Sequence, residues 1–131
     1  MKVFQKLYVC KNLQMLSKDR IYTELHQTVN MTHVEFRAWL MTDLAPITVA
    51  NYPDAPSMDK SKKLLRIMDK EKEELSTADC QFVQVMLHRI NYLKRIKSKE
   101  RYRRLDWENS LRNMGYDIKK DVNKTEKQVE Y

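Results

Sequence analysis

Apolar residues recur along this chain at helical spacing in almost every segment. Ile21, Tyr22, Leu25 and Val29 make one stripe, and Leu64, Leu65, Met68 and Leu75 make another. Phe82, Val85, Met86, Leu93 and Ile96 predict the longest helix, entered through Ser76 or Thr77 as its cap. Trp107, Leu111 and Met114 predict a short final helix that starts near Asp106. Residues 1–16 fit two patterns: Val3, Leu7 and Val9 alternate, whereas Phe4, Leu7, Tyr8 and Cys10 share a helical face. In a chain otherwise helical, the helical reading is taken.

Local signals mark where these helices begin and end. Asp19 is placed to cap the first of them, and Asn30, which tolerates a left-handed backbone, to close it. Thr32 and Glu35 have capping-box spacing, with Met31 and Phe36 positioned as a hydrophobic staple. A short helix over 33–41 should then bury Phe36, Leu40 and one face of Trp39. The stretch LAPITVANYPDAPS holds Pro46, Pro53 and Pro56 and reads as an apolar loop packed over the domain. Ser57 or Asp59 opens the next helix. Gly115 falls where a helix-terminating turn needs positive φ.

One glycine and three prolines in 131 residues leave little turn chemistry for a β fold. The expected fold class is all-α: a compact bundle of five or six helices, with a helix-turn-helix-like N-terminal corner and a short C-terminal helix. Residues 1–18 form an N-terminal element packed on the domain, 19–118 the helical domain, and 119–131 a charged tail without a core pattern. No apolar run reaches the roughly 20 residues of a membrane span. The opening eighteen residues carry four lysines and no acid, but no arginine, and are not read as a presequence. Cys10 and Cys80 stand far apart and read as reduced packing thiols, which points to the cell interior, cytoplasm or nucleoid or nucleus.

Charge changes the picture most. The formal net charge is +7, and the run KRIKSKERYRR over 94–104 carries +6 of it: seven bases against Glu100. Such a cluster raises the local potential at one surface and implies a polyanion. Lys94, Arg95, Lys97, Lys99, Arg101, Arg103 and Arg104 are the candidate phosphate contacts, with Tyr102 able to stack on a base. Lys60, Lys62 and Lys63, at a helix start, are secondary candidates for the same surface. The expected function is nucleic-acid binding, to DNA or RNA, through the sugar-phosphate backbone with little sequence selectivity. The competing reading is a protein–protein module docking an acidic partner. A solvated helix end is the plain alternative, but a favourable helix-end cation accounts for two or three lysines and not for seven mutually repelling bases.

The chain also resembles a bacterial family, domain of unknown function 3140. The resemblance rests on three blocks: TVNMTHVEFRAWL, SKKLLRIMDKEKEELSTAD and WENSLRNMGYDIKK. The matching positions are Val29, Asn30, Met31, Thr32, Trp39 and Leu40, then Ile67, Leu75 and Asp79, then Trp107, Ser110, Leu111, Gly115 and Asp117. It covers about residues 19–118 and implies a small helical domain of unproven function, some members being labelled DNA-binding without demonstration. It supplies no active-site residue. Two features depart from the family pattern: the proline-bearing stretch before the central helix, and the strongly basic segment before Trp107.

Other chemistry is sparse. A helix-turn-helix use of 19–41 would rely on His33, Glu35 and Arg37, and the acid sits badly against phosphate, so an ordinary helical corner is preferred. His26, His33 and His88 lack metal-ligand spacing, and no nucleophile–base set or glycine-rich phosphate loop stands out. The expectation is therefore of no enzyme, no metal and no cofactor, with the oligomeric state left open.

Overall fold

The computed structural model describes residues 15–96 and 104–121. These form seven helices and no strand: α1 (Lys18–Thr28), α2 (His33–Leu40), α3 (Leu44–Asn51), α4 (Met58–Met68), a 3-10 turn (Lys72–Glu74), α5 (Thr77–Arg95) and α6 (Arg104–Arg112). A last helical turn covers 118–121. The all-α bundle, with its helix–short connection–helix corner at the N-terminal side, is as expected. The proposed helix over 1–16 lies outside the described residues except for its last two positions.

The long helix α5 is the spine. α1 packs along it and against the 3-10 turn, α2 packs on α4, and α6 folds back from its end to pack on α3. Ile21, Leu25, Phe36, Leu64, Val83, Ile90, Leu93, Trp107 and Leu111 meet in one core. Trp107 also donates its indole N–H to the carbonyl of Leu93 at 2.7 Å, which pins α6 to the last turns of α5.

Several predicted caps are present. Thr32 and Glu35 form the reciprocal capping box of α2, at 3.1 and 2.8 Å. Ser76 caps α5 with Asp79 as the returning side chain, and Ser57 caps α4. Gly115 has φ 79 and closes α6 with the paired bonds of a Schellman turn, Gly115 to Arg112 and Tyr116 to Leu111, both at 3.0 Å. A Cβ there would lie 2.9 Å from Val29 Cγ1, so the site is closed to other residues by space as well as by backbone.

Four expectations need correction. α1 is capped by Ser17, whose hydroxyl accepts from the N–H of Arg20; Asp19 sits one residue inside the helix. Among the described residues no residue other than glycine has positive φ, so Asn30 does not close α1 in a left-handed turn. The supposed loop from Leu44 is helical through Asn51. Pro46 falls in its first turn, where no intrahelical N–H donor is required, so the proline is compatible with helix. On α5 Met86 and Leu93 of the expected stripe are buried and Phe82 and Ile96 pack partly against the core, but the buried face runs through Cys80, Val83, Met86, Leu87, Ile90 and Leu93, and Val85, 42% exposed, lies off it.

Candidate nucleic-acid interface

α5 delivers the basic run at its C-terminal end and α6 receives it at its N-terminal end. Lys94 lies in the last turn of α5 with its ammonium 4.6 Å from the centre of the Tyr116 ring. Burial, and then the hydrogen bond that the Tyr116 phenol donates to Asp121, push that phenol above its ordinary range, so the ring beneath Lys94 stays neutral. Arg95 is exposed and its guanidinium sits 6.0 Å from the Tyr92 ring. Arg104 opens α6, is exposed, and pairs with Glu108 at 3.3 Å one turn on. The arginine side chain stands in solvent while that of Glu108 is 12% exposed, so only one end of the pair is open to water. Lys97, Lys99, Arg101, Tyr102 and Arg103 lie outside the described residues.

The secondary lysines stand on a different helix, α4. Lys62 is exposed, and Lys63 lies with its ammonium 4.7 Å from the centre of the Phe82 ring. Lys60 lines a groove of about 520 Å³ together with Phe82, Val85 and Arg89. Phe82 and Arg95 are about 20 Å apart along the helix axis at 1.5 Å per residue, so the two clusters do not merge. Arg89 stands between them. It was not singled out in the sequence, although it lies only five residues ahead of Lys94.

A second network locks the closing segment onto the N-terminal corner. The Asn30 side chain donates to the carbonyl of Asp117 at 2.9 Å and accepts from its N–H at 2.6 Å. The N–H of Met31 reaches the carbonyl of Gly115 at 3.1 Å. Lys120 spans the Asn30 carbonyl, at 2.9 Å, and Glu35, at 2.6 Å. That hydrogen bond from Lys120, with the backbone N–H of Thr32 next, holds the Glu35 carboxyl below its usual range. Glu35 is therefore committed to the fold. Asn113 is the buried hub on the other side. Its side chain accepts from the Trp39 indole at 2.7 Å and donates to the Ala45 carbonyl at 3.2 Å, while its own carbonyl accepts from Ser61 at 2.6 Å. Three of the helices, α2, α3 and α4, are thereby fastened to the end of α6.

These interactions give the family blocks a physical meaning. Asn30, Met31, Thr32 and Trp39 face Asn113, Gly115 and Asp117, so the first and third blocks recognise each other. Asp79 in the middle block completes the capping box of α5 by accepting from the N–H of Ser76 at 3.2 Å, and takes a hydrogen bond from Lys70 at 2.8 Å. The matched positions build the scaffold, and the cationic segment is carried on it.

Among the described residues no helix is long and apolar enough to cross a membrane, and no group of His, Cys, Asp and Glu is arranged to hold a metal. Neither a curated protein nor a solved structure matches the chain. A family model, described as a protein of unknown function (DUF3140), matches residues 24–112 and stops short of the Gly115–Asp117 clasp that the sequence blocks include. With the greater part of its length matched, and with the blocks of that family forming its core, the chain belongs to the DUF3140 family.

Proposed function

We propose that this domain is a nucleic-acid-binding module without a catalytic step, gripping the sugar-phosphate backbone through the segment that joins α5 to α6. The observation that carries the reading is that residues 94–104, which run from the last turn of α5 to the first residue of α6, hold six net positive charges, with the two helices fastened together by Trp107. Arg95, Arg101, Arg103 and Arg104 hold phosphates through their planar forks, and Lys94, Lys97 and Lys99 add to the field. Tyr102 offers a face for stacking. Lys60, Lys62 and Lys63, with Arg89, extend positive potential along α5 and steer the polymer in before contact is made.

The test is a mobility-shift titration with duplex DNA, single-stranded DNA and RNA. Replacing Arg101, Arg103 and Arg104 together with Gln should weaken binding at low salt by at least about tenfold, since several phosphate contacts go at once. The thermal midpoint should hardly move. Equal affinity of the variant and the parent protein refutes the assignment. Absence of binding to all three polymers leaves an acidic protein as the partner of this segment.

A further inference from the structure

α3 has a hydrophobic sequence, LAPITVAN, yet turns only Ala45 and Thr48 into the core. Leu44 and Ile47 remain 48% and 49% exposed, beside exposed Pro46 and Ala50. Across the corner, α2 spaces Val34, Ala38 and Met41 at four and three residues, which puts them on one helix face. That face points outward: Val34 is 75% and Met41 76% exposed, while Phe36 and Leu40 occupy the core. Only Thr42 and Asp43 separate Met41 from Leu44, so the two apolar faces adjoin at the bend. Single exposed apolar residues are ordinary, but a clustered set on adjoining helices marks a contact surface.

Charge identifies what it contacts. Arg37 shares the outward face of α2, and Asp43 stands at the start of α3 without capping it through its side chain. Among the described residues neither forms an ion pair. Glu35 nearby is already matched by Lys120. The corner is thus neutral in a chain of net charge +7, with its one positive group on the outward face of α2 and its one negative group at the bend. A surface with that layout is complementary to itself after a two-fold rotation, whereas a foreign partner would be favoured by an excess of one sign.

We propose that the α2–α3 corner is the interface of a homodimer. Val34, Met41, Leu44 and Ile47 of one protomer pack on the same residues of the other, and Arg37 of each protomer faces the partner's Asp43. Two helices of eight residues, each about 12 Å long, place the contact at the small end of specific interfaces, below about 1,200 Å² in total. The expected affinity is correspondingly micromolar. A dimer would also present two basic segments to one polymer and so retain it longer, although the inference does not depend on nucleic-acid binding.

Sedimentation equilibrium of the full chain over a micromolar concentration series tests this. The parent protein should pass from monomer to dimer. Met41→Glu, which would bury a charge at the centre, should raise the dissociation constant at least about tenfold. Arg37→Glu and Asp43→Lys should each weaken the dimer by about fivefold or more, and the double exchange should restore it to within about twofold of the parent. All three positions are exposed, and far-UV circular dichroism verifies that each variant folds. A parent protein that stays monomeric throughout overturns the proposal. So does a dimer that survives Met41→Glu, or a double exchange no better than its single members.

Discussion

α3 and α6 pack against each other, yet hydropathy ranks them in the reverse of their burial. α6 reads RLDWENSLR, a polar sequence, and buries Trp107, Asn109, Ser110 and Leu111. α3 is apolar nearly throughout and buries two residues. The difference lies in hydrogen bonding. In and just past α6 the buried polar groups find partners: Trp107 donates to the Leu93 carbonyl, Asn109 accepts from Arg112, Ser110 donates to the Trp107 carbonyl, and Asn113 pairs with Trp39 and Ala45. Satisfied polar groups can be buried at little net cost, and unsatisfied ones cannot. α3 has apolar surface to spare and no second element of the described chain to cover it. One helix is finished within the monomer, and the other is not.

The contrast is sharpest in a paired substitution. Trp107→Ala should cost about 3–5 kcal/mol, combining the lost ring with an unsatisfied Leu93 carbonyl, enough to unfold much of a domain this size. Val34→Ser on the open corner should cost less than about 0.5 kcal/mol in dilute solution. Urea denaturation of the two variants compares them directly. Similar losses would mean that the corner is part of the monomer's core after all. Next in size is Asn113→Leu. It removes the partner of the Trp39 indole N–H and should cost about 1–3 kcal/mol, read as a fall in thermal midpoint; an unchanged midpoint would deny Asn113 its linking role.

The smallest expected effect concerns acid. The hydrogen bond from Lys70 chiefly, and the backbone N–H of Ser76 after it, hold the Asp79 carboxyl below its ordinary range. A carboxyl depressed in the folded state binds its proton more readily when unfolded. Its contribution is therefore complete above about pH 4, the ordinary aspartate range, and fades as pH falls through the lower folded value. Asp79→Asn should lower stability at neutral pH and make the acid limb shallower. A limb parallel to that of the parent protein would locate the acid sensitivity elsewhere, Glu35 and Asp19 being the other carboxyls held down by a lysine.

Much of the scaffold is legible in the residues because caps are local chemistry. The Thr32–Glu35 box, the Ser76 cap, the Gly115 turn and the Trp107 anchor each follow from a few neighbouring side chains. What stays hidden depends on distance in sequence. Phe82 and Val85 are as apolar as Val83 and Ile90, and periodicity cannot say which of two stripes on α5 faces α1. Pro46, Pro53 and Pro56 suggest a loop, but only Pro53 and Pro56 fall beyond the helix that begins at Leu44. Asn113 resembles a turn residue, and Asn30 a helix terminator; both act on partners more than 60 positions away. Of the candidate interface, the charge cluster was plain. The separation of Lys60 and Lys63 from it, and the station of Arg89 between, depend on contacts that bring Lys60 and Lys63 to Phe82.

Fluorescence anisotropy with a short labelled duplex, repeated over a series of salt concentrations, tests the proposed phosphate grip most directly. If the segment neutralises five phosphates of the duplex, log affinity should fall against log salt with a slope of about −4.5, and the triple Arg→Gln variant should be shallower by about 2.7. A slope near zero, or one that those three substitutions leave untouched, would contradict the account.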